Sequence, residues 1–85
     1  MSEVEKKIDE CINEIKPYRI YTSQADFAIS VLNEIKRLVK DLNEENIQKA
    51  LGIVAELYKE AQPYANFLPT TNANLKFIKD WLEKK

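Results

Sequence analysis

Catalysis or metal binding by this 85-residue chain would have to come from carboxylates, amines and one thiol, because it contains no His. That absence removes the commonest general base, the commonest transition-metal ligand and the physiological pH switch together. The acids to weigh for such chemistry are Asp9, Glu10, Glu14, Glu34, Glu56 and Glu60. A carboxylate-bridged metal centre between helices needs inward Glu residues, usually with a Glu-x-x-His pair. These acids lie opposite or beside the apolar positions, so they read as a solvated face. A single Gly rules out a Gly-rich phosphate loop. Cys11 lies between Ile8 and Ile12 on an apolar stripe, where it is a core thiol; a nucleophile would need exposure and a neighbouring base. The sequence therefore predicts no catalytic residue, no metal and no cofactor, and a protein that is not an enzyme.

Lys36, Arg37 and Lys40 form the one tight basic cluster. They occupy the C-terminal turns of a helix, where cations are favourable without any ligand. Thirteen basic against fourteen acidic residues give a net charge of -1, so no general cationic field attracts nucleic acid or anionic lipid. In an antiparallel bundle the three bases would fall near Glu3, Glu5, Glu44 and Glu45. A nucleic-acid-associated accessory protein using these bases is accordingly an alternative of low rank, which steep salt dependence would reveal.

The elements that must position these residues are helical. Apolar residues make up 45% and charged residues 32%, with one Gly and three Pro; this is too apolar for disorder and too poor in turn formers for a β domain. The length predicts a single helical domain, residues 1–85. Ser2 and Glu5 read as a capping box for a helix over 3–16 carrying Val4, Ile8, Cys11, Ile12 and Ile15, stopped by Pro17. Thr22 or Ser23 caps a second helix to about Asp41, with Ala25, Ala28, Leu32, Ile35, Val39 and Leu42 as its seam and Val31 and Leu38 on one flank. Asn43, followed by Glu44 and Glu45, starts a third, with Ile47, Ala50, Leu51, Val54, Leu57, Tyr58 and Ala61 as its stripe. Pro63 ends or kinks that helix. Gly52 stands alone on its polar side, at a cost of about 1 kcal/mol relative to Ala, and marks either the close approach of a partner backbone or nothing. Thr70 and Thr71 cap a last helix over 72–84 with Leu75, Phe77, Ile78, Trp81 and Leu82.

Three short connections favour antiparallel neighbours, which predicts an all-α, up-down-up-down four-helix bundle. Three helices with a fourth packed across them is the runner-up. In the bundle the first and third connections share one end, which gathers Tyr18, Arg19, Ile20, Tyr21, Tyr64, Phe67 and Leu68 with Pro17, Pro63 and Pro69. Loop tips are usually polar, and Tyr with Arg is the composition of an interface centre. These residues either plug the open end of the core or present a patch.

The functional expectation is a non-catalytic protein-binding module, a small accessory or inhibitory protein whose partner is another protein or peptide, acting as monomer or homodimer. The length and architecture resemble, at the level of fold and with no shared motif, those of immunity-type four-helix proteins that protect bacteria from their own antimicrobial peptides. The acids Glu10, Glu14, Asp26, Glu56 and Glu60 near the aromatic end would suit a cationic amphipathic peptide. One cysteine allows no internal disulfide, no signal-peptide pattern opens the chain, and no run approaches the roughly 20 apolar residues of a bilayer span. A soluble protein of the cytoplasm is the expectation.

Overall fold

The computed structural model describes residues 2–85. Among these, four α-helices follow in order: α1 (Glu3–Ile15), α2 (Ser23–Val39), α3 (Glu44–Ala61) and α4 (Pro69–Glu83), with 3₁₀ turns at Lys16–Ile20 and Gln62–Tyr64. Each helix packs against the next and α4 closes on α1, so the four form an antiparallel bundle of 36 × 21 × 19 Å. The fourth helix is a full member, set between α1 and α3 rather than across them.

The first three helices begin where their caps dictate. Ser2 Oγ accepts from the Glu5 N–H at 3.2 Å and donates to the Glu5 carboxylate at 3.3 Å. Of the two possible caps for α2, Thr22 is the one used, accepting from the Gln24 N–H at 3.2 Å. Asn43 accepts from the Asn46 N–H at 2.8 Å, and Glu44 and Glu45 stand in the first turn where the dipole favours them. The stripes then meet in one core, in which Ile8, Leu32, Ile35, Leu38, Val54, Leu75, Ile78 and Leu82 are fully buried. Each such side chain contributes roughly 1.5–3 kcal/mol over an exposed one.

Several expectations are corrected. Helix α2 ends at Val39, so Leu42 lies beyond it and is exposed, while Leu38, expected on the flank, is almost wholly buried. In α3 the expected Ala50, Leu51, Val54, Leu57, Tyr58 and Ala61 do pack in the core, but Ile53 joins them and Ile47 lies outside the cluster. At Pro63, where an end and a kink were both open, the structure takes the end: α3 stops at Ala61.

Helix α4 starts at Pro69 rather than 72, because a proline at the first position needs no N–H partner. Its N-cap is Leu68, which has no side chain to cap with, and neither Thr70 nor Thr71 serves as a cap. The donors are met from another helix: Glu14 of α1 accepts from the Thr70 N–H at 3.0 Å and the Thr71 N–H at 2.6 Å. One turn on, the buried Asn74 donates to the Lys7 carbonyl at 3.0 Å and to Glu10 at 2.9 Å. Glu10 and Glu14 are thus half-buried partners of α4 and not members of a freely solvated face. Phe77, expected in the core, is exposed instead, with the Lys7 ammonium 5.4 Å from its ring centre.

Candidate functional site

The two proline-bearing connectors build one end of the bundle. Pro17 lacks the N–H that α1 would need to continue, and the chain tightens into the 3₁₀ turn Lys16–Ile20, closed by bonds from Tyr21 N–H and Thr22 N–H to the Tyr18 carbonyl at 3.0 and 3.2 Å. Pro63 does the same after α3, and the N–H groups of Phe67 and Leu68 both bond to the Tyr64 carbonyl at 2.8 Å. The Tyr18 hydroxyl, 3.5 Å from the Phe67 carbonyl, joins one connector to the other.

The residues gathered there divide between plug and surface. Tyr18 and Leu68 are half-buried and pack on the core, so they close its end. Ile20 is 83% exposed, Tyr21 78%, Phe67 65% and Tyr64 48%. Arg19 is not free: its Nε lies 2.6 Å from Asp26, and both side chains are more than half exposed. Such a surface pair contributes little stability but holds the guanidinium against the first turn of α2.

Beneath this end opens a cleft of about 670 Å³, walled by Tyr18, Phe27, Tyr64 and Phe67. At its base Ala25, Ala28 and Ala61 offer only methyl groups, which leaves the space between the helices unfilled. Tyr64, Phe67, Leu68 and Tyr18 come together here, whereas Ile20 and Tyr21 stand outside the cleft on the neighbouring turn. A second hollow of about 420 Å³, bordered by Val31, Gly52, Ile53 and Glu56, shares Phe27, Leu57 and Glu60 with the first. The second hollow follows the α2–α3 seam and adjoins the first at the bundle end, and the two make an open trough.

Phe27, 62% exposed, is the residue that the sequence reading of this end missed. Its signal was present as a helical pair: Phe27 and Val31 are four apart, beside the buried stripe rather than on it, and across the seam Ile53 and Leu57 repeat that spacing. No lysine or arginine lines either hollow. Glu56 and Glu60, one turn apart on α3, make no ion pair among the described residues.

The basic cluster occupies the C-terminal turns of α2, as expected, but its acidic partners are not the expected ones. Lys36 reaches Asp9 of α1 at 2.9 Å, half-buried between the helices, and Arg37 pairs with Glu34 of its own helix at 2.5 Å. The partners are therefore Asp9 and Glu34 rather than Glu3, Glu5, Glu44 and Glu45, since the closest acids are set by the face each base occupies. Only Lys40 of the three lacks an ion-pair partner among the described residues. The Arg37 hydrogen bond holds the Glu34 carboxyl below its ordinary range.

Cys11 is fully buried, its Sγ 3.9 Å from the Thr71 carbonyl, and burial pushes its pKa up to about 12. A thiol so placed is not a thiolate near neutrality, which removes it from nucleophilic chemistry. Partial burial pushes the Glu14 carboxyl upward, but hydrogen bonding at Thr71 and Thr70 outweighs this and leaves it below its ordinary value.

What this arrangement offers a ligand is apolar surface with acids at one edge. The described residues contain no cluster of three or more Cys, Asp or Glu side chains placed to hold a metal ion, and none of the helices is long and apolar enough to cross a membrane. The chain matches no protein-family model, no curated protein and no solved structure.

Proposed function

We propose that this protein is a non-catalytic protein-binding module that presents the aromatic, proline-rich end of its bundle to another protein or peptide. The observation that carries the reading is the exposure of Tyr64 and Phe67 at an apolar cleft, and of Ile20 and Tyr21 on the neighbouring turn, at a place where connectors are ordinarily polar. Tyr18 and Leu68, which close the core, supply the rigid base on which the exposed side chains stand. Rigid aromatic anchors lose little conformational entropy on binding, which is why they concentrate affinity at interface centres. The nucleic-acid alternative draws no support from the Lys36, Arg37 and Lys40 cluster, in which two of three charges are already paired.

The reading is tested by site-specific photo-crosslinking in the source cell. A photoreactive phenylalanine at Phe67 or Tyr21 is expected to capture one defined protein, while the same group at Glu44, at the opposite end, captures none. Capture from Glu44 alone, or the same background pattern from all three positions, contradicts the proposal.

A further inference from the structure

We infer that the α2–α3 trough is the seat of a basic amphipathic helix, which lays its apolar face against Phe27, Val31 and Ile53 and sets its cations on Glu56 and Glu60. The inference rests on the binding-module reading above and names the chemical class of the partner.

Three observations on the same strip of surface carry it. The first is shape. The two hollows share Phe27, Leu57 and Glu60, and on α3 they run from Gly52 to beyond Ala61. At 1.5 Å per residue that is a trough of about 14 Å, the length of two to three helical turns. An open, elongated apolar trough between two helices is the shape that receives a third helix through anchors at i, i+3 or i+4, and i+7.

The second is charge. Glu34 and Asp26 of α2 are each held by an arginine, and Glu45 of α3 by Lys49. Glu56 and Glu60, which border the trough, make no ion pair among the described residues, and no cation lines it. The edge of the apolar strip therefore carries two uncompensated negative charges one turn apart, matched by lysines or arginines spaced three or four residues apart on a partner helix. A second copy of this chain docked about a two-fold axis would bring the same two acids toward their equivalents, and repulsion disfavours that occupant.

The third is Gly52. It lies nine residues into an 18-residue helix, where glycine weakens the fold. A Cβ built at this position meets nothing within 4 Å, and its φ is not positive. Neither packing nor backbone conformation within the chain accounts for the glycine. Its place on the border of the trough does, because a missing side chain lets a partner's backbone or apolar anchor approach the α3 backbone closely.

The experiment uses two fluorescein-labelled 15-residue helical peptides, one of Leu and Lys, the other with Gln in place of every Lys, titrated by anisotropy against the full chain. The Leu/Lys peptide is expected to bind at least tenfold more tightly than the Leu/Gln peptide. E56Q/E60Q should lose most of that difference, and G52L should weaken binding of the Leu/Lys peptide tenfold or more without lowering the melting temperature. The control E3Q/E44Q removes the same charge at the other end and should change nothing. No binding of the Leu/Lys peptide, an equal loss in E3Q/E44Q, or full binding by G52L overturns the inference. Equal binding of both peptides, abolished by G52L and by F67A, also overturns it, yet leaves the apolar end standing as a docking surface. A parent chain that sediments as a dimer, with G52L a monomer, assigns the trough to a second copy and overturns it as well.

Discussion

Cys11 shows how one side chain's environment decides its chemistry. The thiol is enclosed by the α1–α4 contact, with the Thr71 carbonyl at 3.9 Å and the charges of Glu14 and Glu10 nearby. Desolvation is the largest influence, and the two carboxylates act in the same direction by opposing a neighbouring thiolate. Alkylation of the native protein at pH 8 is therefore expected to be roughly 100-fold or more slower than in denaturant, because it requires opening of the bundle. Quantifying free thiol by mass spectrometry over time checks this. A thermodynamic consequence accompanies it. In the unfolded chain the thiol ionises near its ordinary value of 9.0, whereas in the folded chain it holds its proton to about 12. Its stabilising contribution is complete below 9 and is lost as pH rises from 9 toward 12, by up to about 1.4 kcal/mol per pH unit. Cys11→Val, which cannot ionise, should lack that part of the alkaline decline in denaturant titrations.

At the scale of the element, α4 begins with a cap it does not own. Leu68 offers no side-chain acceptor, and the Thr70 and Thr71 N–H groups, two donors at the helix start, are both taken by Glu14. The other junction is similarly tied, with Asn72 donating to the Ala61 carbonyl at the end of α3 and to the Leu68 carbonyl. Replacing Glu14 by Ala should cost about 0.5–2 kcal/mol, the range of a lost N-cap. Glu14→Gln should cost less, since its amide keeps one acceptor oxygen. The folded carboxyl lies below its ordinary value of 4.5, so its stabilisation is present above 4.5 and disappears as pH falls through the folded value. Both variants should show a shallower acid decline than the parent in urea titrations between pH 3 and 6.

Gly52 gives the opposite expectation for α3. Ala at this position adds helix propensity in open space, so Gly52→Ala should raise stability by about 1 kcal/mol. A thermal melt decides it, and a fall in melting temperature would show that the glycine serves the fold after all.

For the whole molecule, the question is what the aromatic end contributes to folding. Tyr21 and Phe67 are mostly exposed, and their replacement by Ala should change stability by no more than about 0.5 kcal/mol. Leu75→Ala, at the centre of the core, should cost about 2–5 kcal/mol. Tyr18→Ala should fall between these limits, because the ring is half-buried on the core and its hydroxyl reaches the other connector. Denaturant melts of the four variants set out this order. Variants at Tyr21 and Phe67 that unfold as readily as Leu75→Ala would assign those rings to the plug rather than the surface.

Much of this architecture is local and was therefore legible in the chain. Helix periodicity, the caps at Ser2 and Asn43, the stop at Pro17, the break at Pro63 that could have been an end or a kink, and the burial of Cys11 depend on residues within about four positions of one another, where backbone geometry fixes which side chains share a face. The aromatic character of both connectors was legible for the same reason, and so was the bundle, once short connections made its neighbours antiparallel. What the tertiary structure alone decided are relations between segments far apart in sequence. Glu14 and Thr71 are 57 residues apart, and Lys36 and Asp9 are 27 apart. No local rule says that an acid of α1 will start α4, or that Phe27 will face Ile53 across a trough. Those pairings follow from the rotation and axial offset of each helix, which are set by how all four apolar stripes pack together at once.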